Sequence, residues 1–316
     1  MNEIKNKVFS YINEYESIII ARHKNPDLDA YGSQFGLYYA LKDYFKNKKI
    51  YVIGDTNSLN QFGEFDEVNI DIAKKSLLLI LDTVSKQMLD ENVYKYYDKL
   101  IFIDHHQNNP DIKNDLAYQI KNASSAAEII ADLLMYWNIP INYDSARALY
   151  LGIIGDTGRF KYSNTTEKTL LIASKLLSKG LNIQEIHNSI YLESRRNKEI
   201  KNIFFQRIKY SKNNVAYSKN DIDFILENNL TTNYVSRGLV NQMSGMREVP
   251  IWVNFTEDTE NHKIYCEIRS RDIAVINVAI KFGGGGHLHA CGCTLNNWNE
   301  VDLVISDLDN LLEEKK

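Results

Sequence analysis

The chain contains few cysteines and prolines and has no long apolar run, and each of these shortages excludes a class of protein. Its 316 residues include 3 Cys, 4 Pro and 15 Gly. Three cysteines cannot all pair, and such sparse use is typical of a reducing compartment. The apolar run at Leu77 to Leu81 is far shorter than the ~20 residues that span a bilayer. The first 17 residues carry three glutamates and do not resemble a signal peptide. We therefore expect a cytoplasmic protein with no membrane partner.

An excess of positive charge is also missing. Lys and Arg number 37 against 41 Asp and Glu, which gives a formal net charge of −4. This balance argues against a protein that coats duplex nucleic acid through its overall positive charge. It is still compatible with a local basic cleft. The hydrophobic share of 44% and the charged share of 25% are typical of a folded globular protein rather than a disordered one.

Short apolar runs alternate with helical patterns through the first half of the chain. Four of these runs predict buried strands, at 17–21, 49–53, 77–81 and 100–103. Buried strands separated by helices are typical of a parallel sheet with helices on both faces. At roughly 150 residues per domain, the length predicts about two domains.

The predicted fold class is α/β with two domains. We expect a doubly wound parallel-sheet domain at 1–190, a charged helical linker at 191–211, and a smaller α/β domain with a mixed sheet at 212–316. The sequence shows no internal repeat.

Acidic and imidazole side chains follow the predicted strands or helices at the points where these end. They are His23, Asp27, Asp29, Asp82, Asp104, His105, His106 and Asp156. Because open parallel sheets bind ligands at the carboxyl ends of their strands, we expect these side chains to converge. Any one of these aspartates alone would be explained as a turn or helix cap, so the prediction depends on the convergence.

The density of carboxylates indicates a metal site. Asp27, Asp29, Asp82 and Asp156 carry four negative charges, which two divalent cations would balance. Mixed Asp and His ligation without thiolates suits Mn²⁺, with Mg²⁺ or Zn²⁺ as alternatives. Metal pairs of this kind can hold the attacking and leaving oxygens of a phosphoryl transfer.

Motifs along the chain resemble those of the DHH phosphoesterase family. The four segments that carry the resemblance are 23–33 (HKNPDLDAYGS), 79–83 (LILDT), 103–106 (IDHH) and 152–160 (GIIGDTGRF). Segment 283–292 (GGGGHLHACG), preceded by IRSR at 268–271, resembles the DHHA1 domain that follows in one branch of the family. The resemblance covers nearly the whole chain and implies a hydrolase of phosphoester bonds that uses two divalent cations.

The resemblance also implies a role for each matching residue. The metal ligands would be His23, Asp27, Asp29, Asp82, His105 and Asp156, with Asp82 bridging the two ions. Asp104 would orient an imidazole from behind the ligands. His106 would face the scissile phosphate without binding metal, and Arg159 would clamp a phosphate.

In the second domain, the glycine run is the candidate substrate grip. Glycines allow a ligand to approach backbone N–H groups closely, although a glycine run alone also fits a flexible turn. The predicted substrate-binding residues are Arg269, Ser270, Gly284, Gly285, Gly286 and His287. Cys291 replaces the alanine that the family pattern usually has, and Cys291 and Cys293 are interpreted as buried or inert thiols.

The resemblance implies one of two enzymatic functions. The first is hydrolysis of short single-stranded RNA to mononucleotides together with dephosphorylation of 3′-phosphoadenosine 5′-phosphate (pAp) to AMP. The alternative is hydrolysis of cyclic dinucleotides or of the linear product pApA. A catalytically silent nucleotide-binding protein is a third hypothesis, which the filled ligand positions disfavour. The sequence leaves the oligomeric state open, with a homodimer as one option.

Overall fold

The chain divides into two compact units, each with its own sheet. The computed structural model describes residues 2–90 and 94–313, with His287 described by its backbone alone. The units are Met1–Leu192 and Glu193–Lys316. The first contains a parallel sheet and the second a mixed sheet. The predicted α/β fold class is therefore confirmed, and the exact domain and linker boundaries stay predictions.

The first unit is built on five parallel strands in the order β2-β1-β3-β4-β5. These strands are β1 (Ser17–Arg22), β2 (Lys49–Val52), β3 (Leu77–Leu81), β4 (Lys99–Asp104) and β5 (Leu116–Gln119). Every residue of β3 is buried, which explains its uninterrupted apolar run. Strand β5 was not predicted because this short edge strand is only partly buried and carries no continuous apolar run.

Most helices of the first unit pack against the face of this sheet that carries Ile18, Leu79 and Ile103. In the described residues, this unit contains the helices α1 (Asn2–Glu14), α2 (Leu28–Tyr44), α3 (Ile70–Ala73), α4 (Ala126–Tyr136), α5 (Tyr143–Asp156), α6 (Glu167–Leu177) and α7 (Ile183–Tyr191). Helices α2 and α5 approach closely, since a Cβ atom at Gly32 would lie 2.6 Å from the Ala148 carbonyl oxygen. On the other face, Leu78 and Phe102 pack with Val84 and Leu89, which flank a 3₁₀ turn.

The second unit is a six-stranded sheet in the order β10-β11-β9-β8-β7-β6. Its strands are β6 (Lys209–Tyr210), β7 (Val215–Asn220), β8 (Ile251–Glu257), β9 (Ile264–Ser270), β10 (Gly285–His287) and β11 (Ala290–Leu295). Strands β7 and β8 are parallel and the other pairs are antiparallel, so the sheet is mixed.

Helices α8 to α11 belong to this unit. Their bounds are α8 (Arg195–Gln206), α9 (Ile222–Glu227), α10 (Ile276–Lys281) and α11 (Trp298–Glu313), with a π-helical turn at Tyr234–Gly238 and a 3₁₀ turn at Val240–Met243. The three cysteines are buried free thiols, which agrees with the interpretation of Cys291 and Cys293. No helix within 2–90 and 94–313 combines the length and apolar character that crossing a membrane requires.

Candidate metal centre and substrate groove

The carboxyl edge of the first sheet collects the predicted acidic and imidazole side chains. His23 follows β1, Asp82 follows β3 and His105 follows β4, and these three strands are neighbours. Asp27 caps α2, since its Oδ1 accepts hydrogen bonds from the backbone N–H groups of Asp29 and Ala30 at 2.9 and 3.0 Å. The strand order therefore brings together residues that are distant in sequence.

Asp82 lies between the two histidines. Its Oδ2 is 3.4 Å from His23 Nε2 and its Oδ1 is 3.4 Å from His105 Nε2. Asp82 also has a φ of 59°, a conformation that few non-glycine residues adopt and that costs on the order of 1–3 kcal/mol. Such strain is concentrated at functional sites, where the surrounding structure holds the residue in place.

The remaining aspartates complete two groups of ligand atoms. Asp156 Oδ2 lies 3.3 Å and Asp29 Oδ2 lies 3.8 Å from His105 Nε2, and Asp27 Oδ1 lies 3.9 Å from His23 Nε2. The three groups whose ligand atoms lie within 4.8 Å of one another are His23, Asp27 and Asp82; Asp29, His105 and Asp156; and Asp82, His105 and His106. The structure thus brings all six predicted ligands together, and their binding of metal stays a prediction.

Asp82 provides a test of whether a cation fits this site. Its Oδ1 atom is buried and has no hydrogen-bond partner in the described part of the chain. A buried carboxylate oxygen without a partner costs about 1–3 kcal/mol or more in desolvation. A divalent cation among these oxygen and nitrogen donors would satisfy that atom, so the residues present fit a metal ion.

Burial and neighbouring charges shift the pKa values of several of these groups. Burial, aided by the Asp82 charge, raises the pKa of Asp156 to about 7 and that of Asp29 well above its usual value. Burial opposes charge on His23 and His105, but the nearby Asp82 carboxylate outweighs it and raises both pKa values to about 9. Burial also opposes charge on Asp82, but the two histidines outweigh it in turn and lower the pKa of Asp82 to about 2. Cation binding would therefore displace protons.

The first turn of α4 anchors Asp29. Its two carboxylate oxygens accept hydrogen bonds from the backbone N–H groups of Ala126 and Ala127 at 2.6 and 2.9 Å. A carboxylate at a helix N-terminus is stabilised by the helix dipole as well as by these bonds. Asp29 itself is fully buried, so helix α4 fixes one side of the candidate metal centre.

A buried carboxylate network holds that helix turn in place, and the sequence analysis did not identify it. Glu128 Oε2 accepts hydrogen bonds of 2.6 Å from the hydroxyls of Ser124 and Thr169. Ser125 is the N-cap, with its Oγ accepting from the Glu128 backbone N–H at 3.0 Å. The two consecutive serines followed by an acidic residue three positions after Ser125 were the available signal.

The predicted catalytic residues are close in sequence to the candidate metal ligands: Asp104 and His106 flank His105, and Arg159 lies three residues after Asp156. His106 Nδ1 lies 2.7 Å from Asp104 Oδ1, and Asp104 Oδ2 accepts from the His106 backbone N–H at 2.9 Å. The Asp104 hydrogen bond raises the pKa of His106. His106 Nδ1 is also 3.9 Å from Asp82 Oδ1. Arg159 is exposed, and its guanidinium carbon lies 4.4 Å from the centroid of the Tyr191 ring.

The glycine run of the second unit lines a groove of about 1370 Å³. Gly285 to His287 form the edge strand β10, which the glycine run did not predict. Close packing against β11 explains two of the glycines. A Cβ atom at Gly284 would lie 2.1 Å from the Gly292 carbonyl oxygen, and Gly286 has a φ of 134°.

The other predicted substrate residues differ in how accessible they are. Arg269 lines the groove, and its guanidinium donates to Glu267 at 3.1 Å and to the Cys291 carbonyl at 3.2 Å. Ser270 is buried, and its hydroxyl donates to the Ile273 carbonyl oxygen. The hydroxyl hydrogen is therefore already used in a bond within the protein. The side chain of His287 lies outside the described part of the structure.

A parallel α/β sheet with an acidic and histidine cluster at its carboxyl edge, followed by a mixed-sheet unit, defines a class of two-domain phosphoesterases. The family model for the "DHH family, N-terminal domain" matches residues 17–153, and the model for the "DHHA1 domain" matches 213–314. The chain therefore belongs to the DHH family, whose members are metal-dependent, and it is a hydrolase of phosphoester bonds.

Similar proteins support this assignment over nearly the full length. The bifunctional oligoribonuclease and PAP phosphatase NrnA of Bacillus subtilis is 34% identical, with 98% of this chain and 99% of that protein covered. The protein of the same name from Mycoplasma genitalium is 30% identical, with 94% of each chain covered. An exopolyphosphatase-related protein of Bacteroides fragilis shares the fold, with a TM-score of 0.87 at 23% identity over 99% of this chain and 98% of that one.

Proposed function

We propose that this chain hydrolyses short single-stranded RNA to mononucleotides and removes the 3′-phosphate of pAp to give AMP. The observation that carries this proposal is the convergence of three aspartate and histidine groups at one sheet edge. The similarity to proteins named oligoribonuclease and PAP phosphatase, which extends over both units, supports the choice of substrates.

The proposal includes two divalent cations, with Mn²⁺ preferred and Mg²⁺ as the alternative. His23, Asp27 and Asp82 would hold one ion, and the other would be held by Asp29, Asp82, His105 and Asp156. Bound there, the cations would supply positive charge to the phosphoryl oxygens and make water more acidic. The donor set supports this assignment because it offers carboxylate oxygens and imidazole nitrogens without thiolates.

His106 would serve as the proton donor to the leaving oxygen. Asp104 accepts the Nδ1 hydrogen and so fixes the ring, which leaves Nε2 available for a substrate. The raised pKa of His106, caused first by that hydrogen bond, favours the protonated ring that donation requires. Arg159 would add a positive charge for a phosphate oxygen, with Tyr191 supporting its guanidinium.

The second unit would bind the terminal nucleotide of the substrate. Arg269 and the edge strand of glycines line one groove there, and both offer N–H donors that suit an anion. We also propose that the protein acts in the cytoplasm. The three free thiols support this location, since they are typical of a reducing compartment.

A single-turnover comparison of four substrates tests the proposal. The full chain would be assayed with Mn²⁺ against pAp, a short single-stranded RNA, pApA and cyclic di-AMP. We expect AMP from pAp and mononucleotides from the RNA at higher rates than any product from cyclic di-AMP. Faster hydrolysis of cyclic di-AMP or pApA than of pAp and RNA would support the alternative function. Binding of all four without hydrolysis would support the silent binding protein.

A further inference from the structure

The groove of the second unit contains a second arginine to which the sequence analysis assigned no role. Arg237 lines this groove together with Arg269 and the glycines at 283–286. We propose that Arg237 binds the anionic end of the nucleotide substrate jointly with Arg269, and that it thereby helps to determine which substrates bind. This inference rests on the proposed function, because it assigns a further residue to the same nucleotide groove.

One carboxylate orients both guanidinium groups. Glu267 Oε1 accepts a hydrogen bond from Arg237 Nε, and Glu267 Oε2 accepts one from Arg269 Nη2, each at 3.1 Å. The single negative charge of Glu267 balances only one of the two arginines, so the cluster keeps a positive charge. Each guanidinium has five N–H donors in a fixed plane. Arg269 also donates from Nη1 to the carbonyl oxygens of Ile268 and Cys291, and the donors that remain on the two arginines can bind a phosphate.

A π-helical turn held by buried hydrogen bonds places Arg237 at the groove. The residue lies in the π-helical turn, a rare conformation that is frequent at functional sites. The Nδ2 group of Asn254 donates hydrogen bonds of 2.7 and 2.8 Å to the carbonyl oxygens of the two residues before Arg237. Asn254 is fully buried and accepts a bond of 2.8 Å from Asn220. This satisfied pair fixes the turn, because each buried amide would otherwise lack partners.

The charges along the groove indicate a substrate with one anionic end. Asp258 and Glu260 line the groove at the hairpin that connects β8 to β9. Ile264 begins β9 beside this hairpin, and Arg269 lies five residues further along the strand, which corresponds to about 17 Å at ~3.3 Å per residue. The end of the groove near Arg269 therefore suits a terminal phosphate of the substrate. The end near Asp258 and Glu260 suits neutral substrate groups that donate hydrogen bonds.

The test compares Arg237→Ala with a matched arginine variant, Arg195→Ala. Arg195 pairs with Glu199 at 2.9 Å on the exposed side of α8, outside the groove. Binding of 5′-AMP and of adenosine to the chelated full chain would be measured by calorimetry, together with the KM and kcat for pAp. We expect Arg237→Ala to weaken AMP binding and raise the KM about ten- to a hundredfold, with kcat within about twofold. Adenosine binding and the Arg195→Ala variant should not change.

Two outcomes would overturn the inference while leaving the proposed function intact. In one, the parent hydrolyses pAp and Arg237→Ala binds AMP as tightly as the parent does. In the other, Arg237→Ala weakens adenosine as much as AMP, which means that the phosphate is not what this arginine binds. Failure of the parent to hydrolyse pAp would instead overturn the proposed function. Arg237→Lys, which keeps the charge but loses the planar fork, should show an intermediate loss and replaces the alanine variant if that one does not fold.

Discussion

The Asp82 carboxylate connects the two halves of the candidate metal centre. It lies 3.4 Å from a histidine nitrogen on each side, and one of its buried oxygens has no hydrogen-bond partner among the described residues. The surrounding sheet holds this residue at a positive φ that its side chain disfavours. These features have a common explanation if Asp82 binds both cations.

His105 and His106 are adjacent, but we expect them to have different functions. His105 Nε2 is within 3.8 Å of three carboxylates, whereas the closest partner of His106 is Asp104. His105→Ala should therefore lose one bound cation per chain, and His106→Ala should keep both cations while its turnover falls by about a hundredfold or more. Metal analysis of the purified variants beside pAp turnover distinguishes the two. If His106→Ala lost the cation instead, the proposed roles would be reversed.

Metal binding should strengthen as the pH rises. Burial opposes charge on His105, but the nearby Asp82 carboxylate outweighs it and raises the pKa of His105 to about 9, whereas burial chiefly raises that of Asp156 to about 7. Below these values each group carries a proton that a cation must displace, so affinity falls as the pH falls. We expect about a tenfold loss per pH unit for each displaced proton. Calorimetry of Mn²⁺ binding in buffers of different ionisation enthalpy would measure proton release, and an absence of release would contradict this explanation.

At the scale of secondary-structure elements, the contact between α5 and α4 sets the position of Asp29. A Cβ atom at Gly152 would lie 2.6 Å from the Ala127 Cβ and 2.9 Å from Asp29 Oδ1. Gly152→Ala should lower the free energy of unfolding by about 1–3 kcal/mol through overpacking and weaken cation binding by displacing Asp29. Thermal unfolding and Mn²⁺ titration would measure the two effects.

Ala148→Gly on the same helix is the control for that variant. It should also lower stability, by about 1 kcal/mol from helix propensity alone and more from the lost buried methyl, but it adds no atom near Asp29. Cation affinity should then stay near that of the parent. Equal cation affinity in Gly152→Ala and the parent would show that this helix contact does not position Asp29.

The elements that the sequence predicted correctly are those with a strong local pattern. The runs that became β1, β3 and β4 are buried and apolar, and an acidic or imidazole residue directly follows the end of each strand. Strand β10 was not predicted because a run of glycines has no side-chain periodicity, and only pairing with β11 makes it a strand. Arg237 was missed because the partner that fixes its turn, Asn254, is distant in sequence.

At the scale of the whole molecule, chemistry and substrate selection should be separable. The predicted metal ligands belong to the first unit and the arginine groove to the second. Arg269→Ala should cut hydrolysis of pAp and dinucleotides about ten- to a hundredfold, since a charge-assisted contact to phosphate is lost. His287→Ala is expected to have a similar effect. Both variants should hydrolyse bis(p-nitrophenyl) phosphate, which offers no nucleotide to bind, nearly as well as the parent.

Metal content serves as the control for these two variants. It should equal that of the parent, because no predicted ligand has been changed. A parallel decline on pAp and on bis(p-nitrophenyl) phosphate, with metal content intact, would show that the second unit does not act through nucleotide binding.

The most direct test of the central claim is reconstitution of the chelated chain with Mn²⁺ while pAp hydrolysis is followed. The chelated parent should be inactive, and AMP formation should return as Mn²⁺ is added and reach its plateau at two ions per chain. Asp82→Ala should regain essentially no turnover at any Mn²⁺ concentration, because both ions depend on that carboxylate. Full activity in the chelated parent, or in Asp82→Ala, would contradict the account.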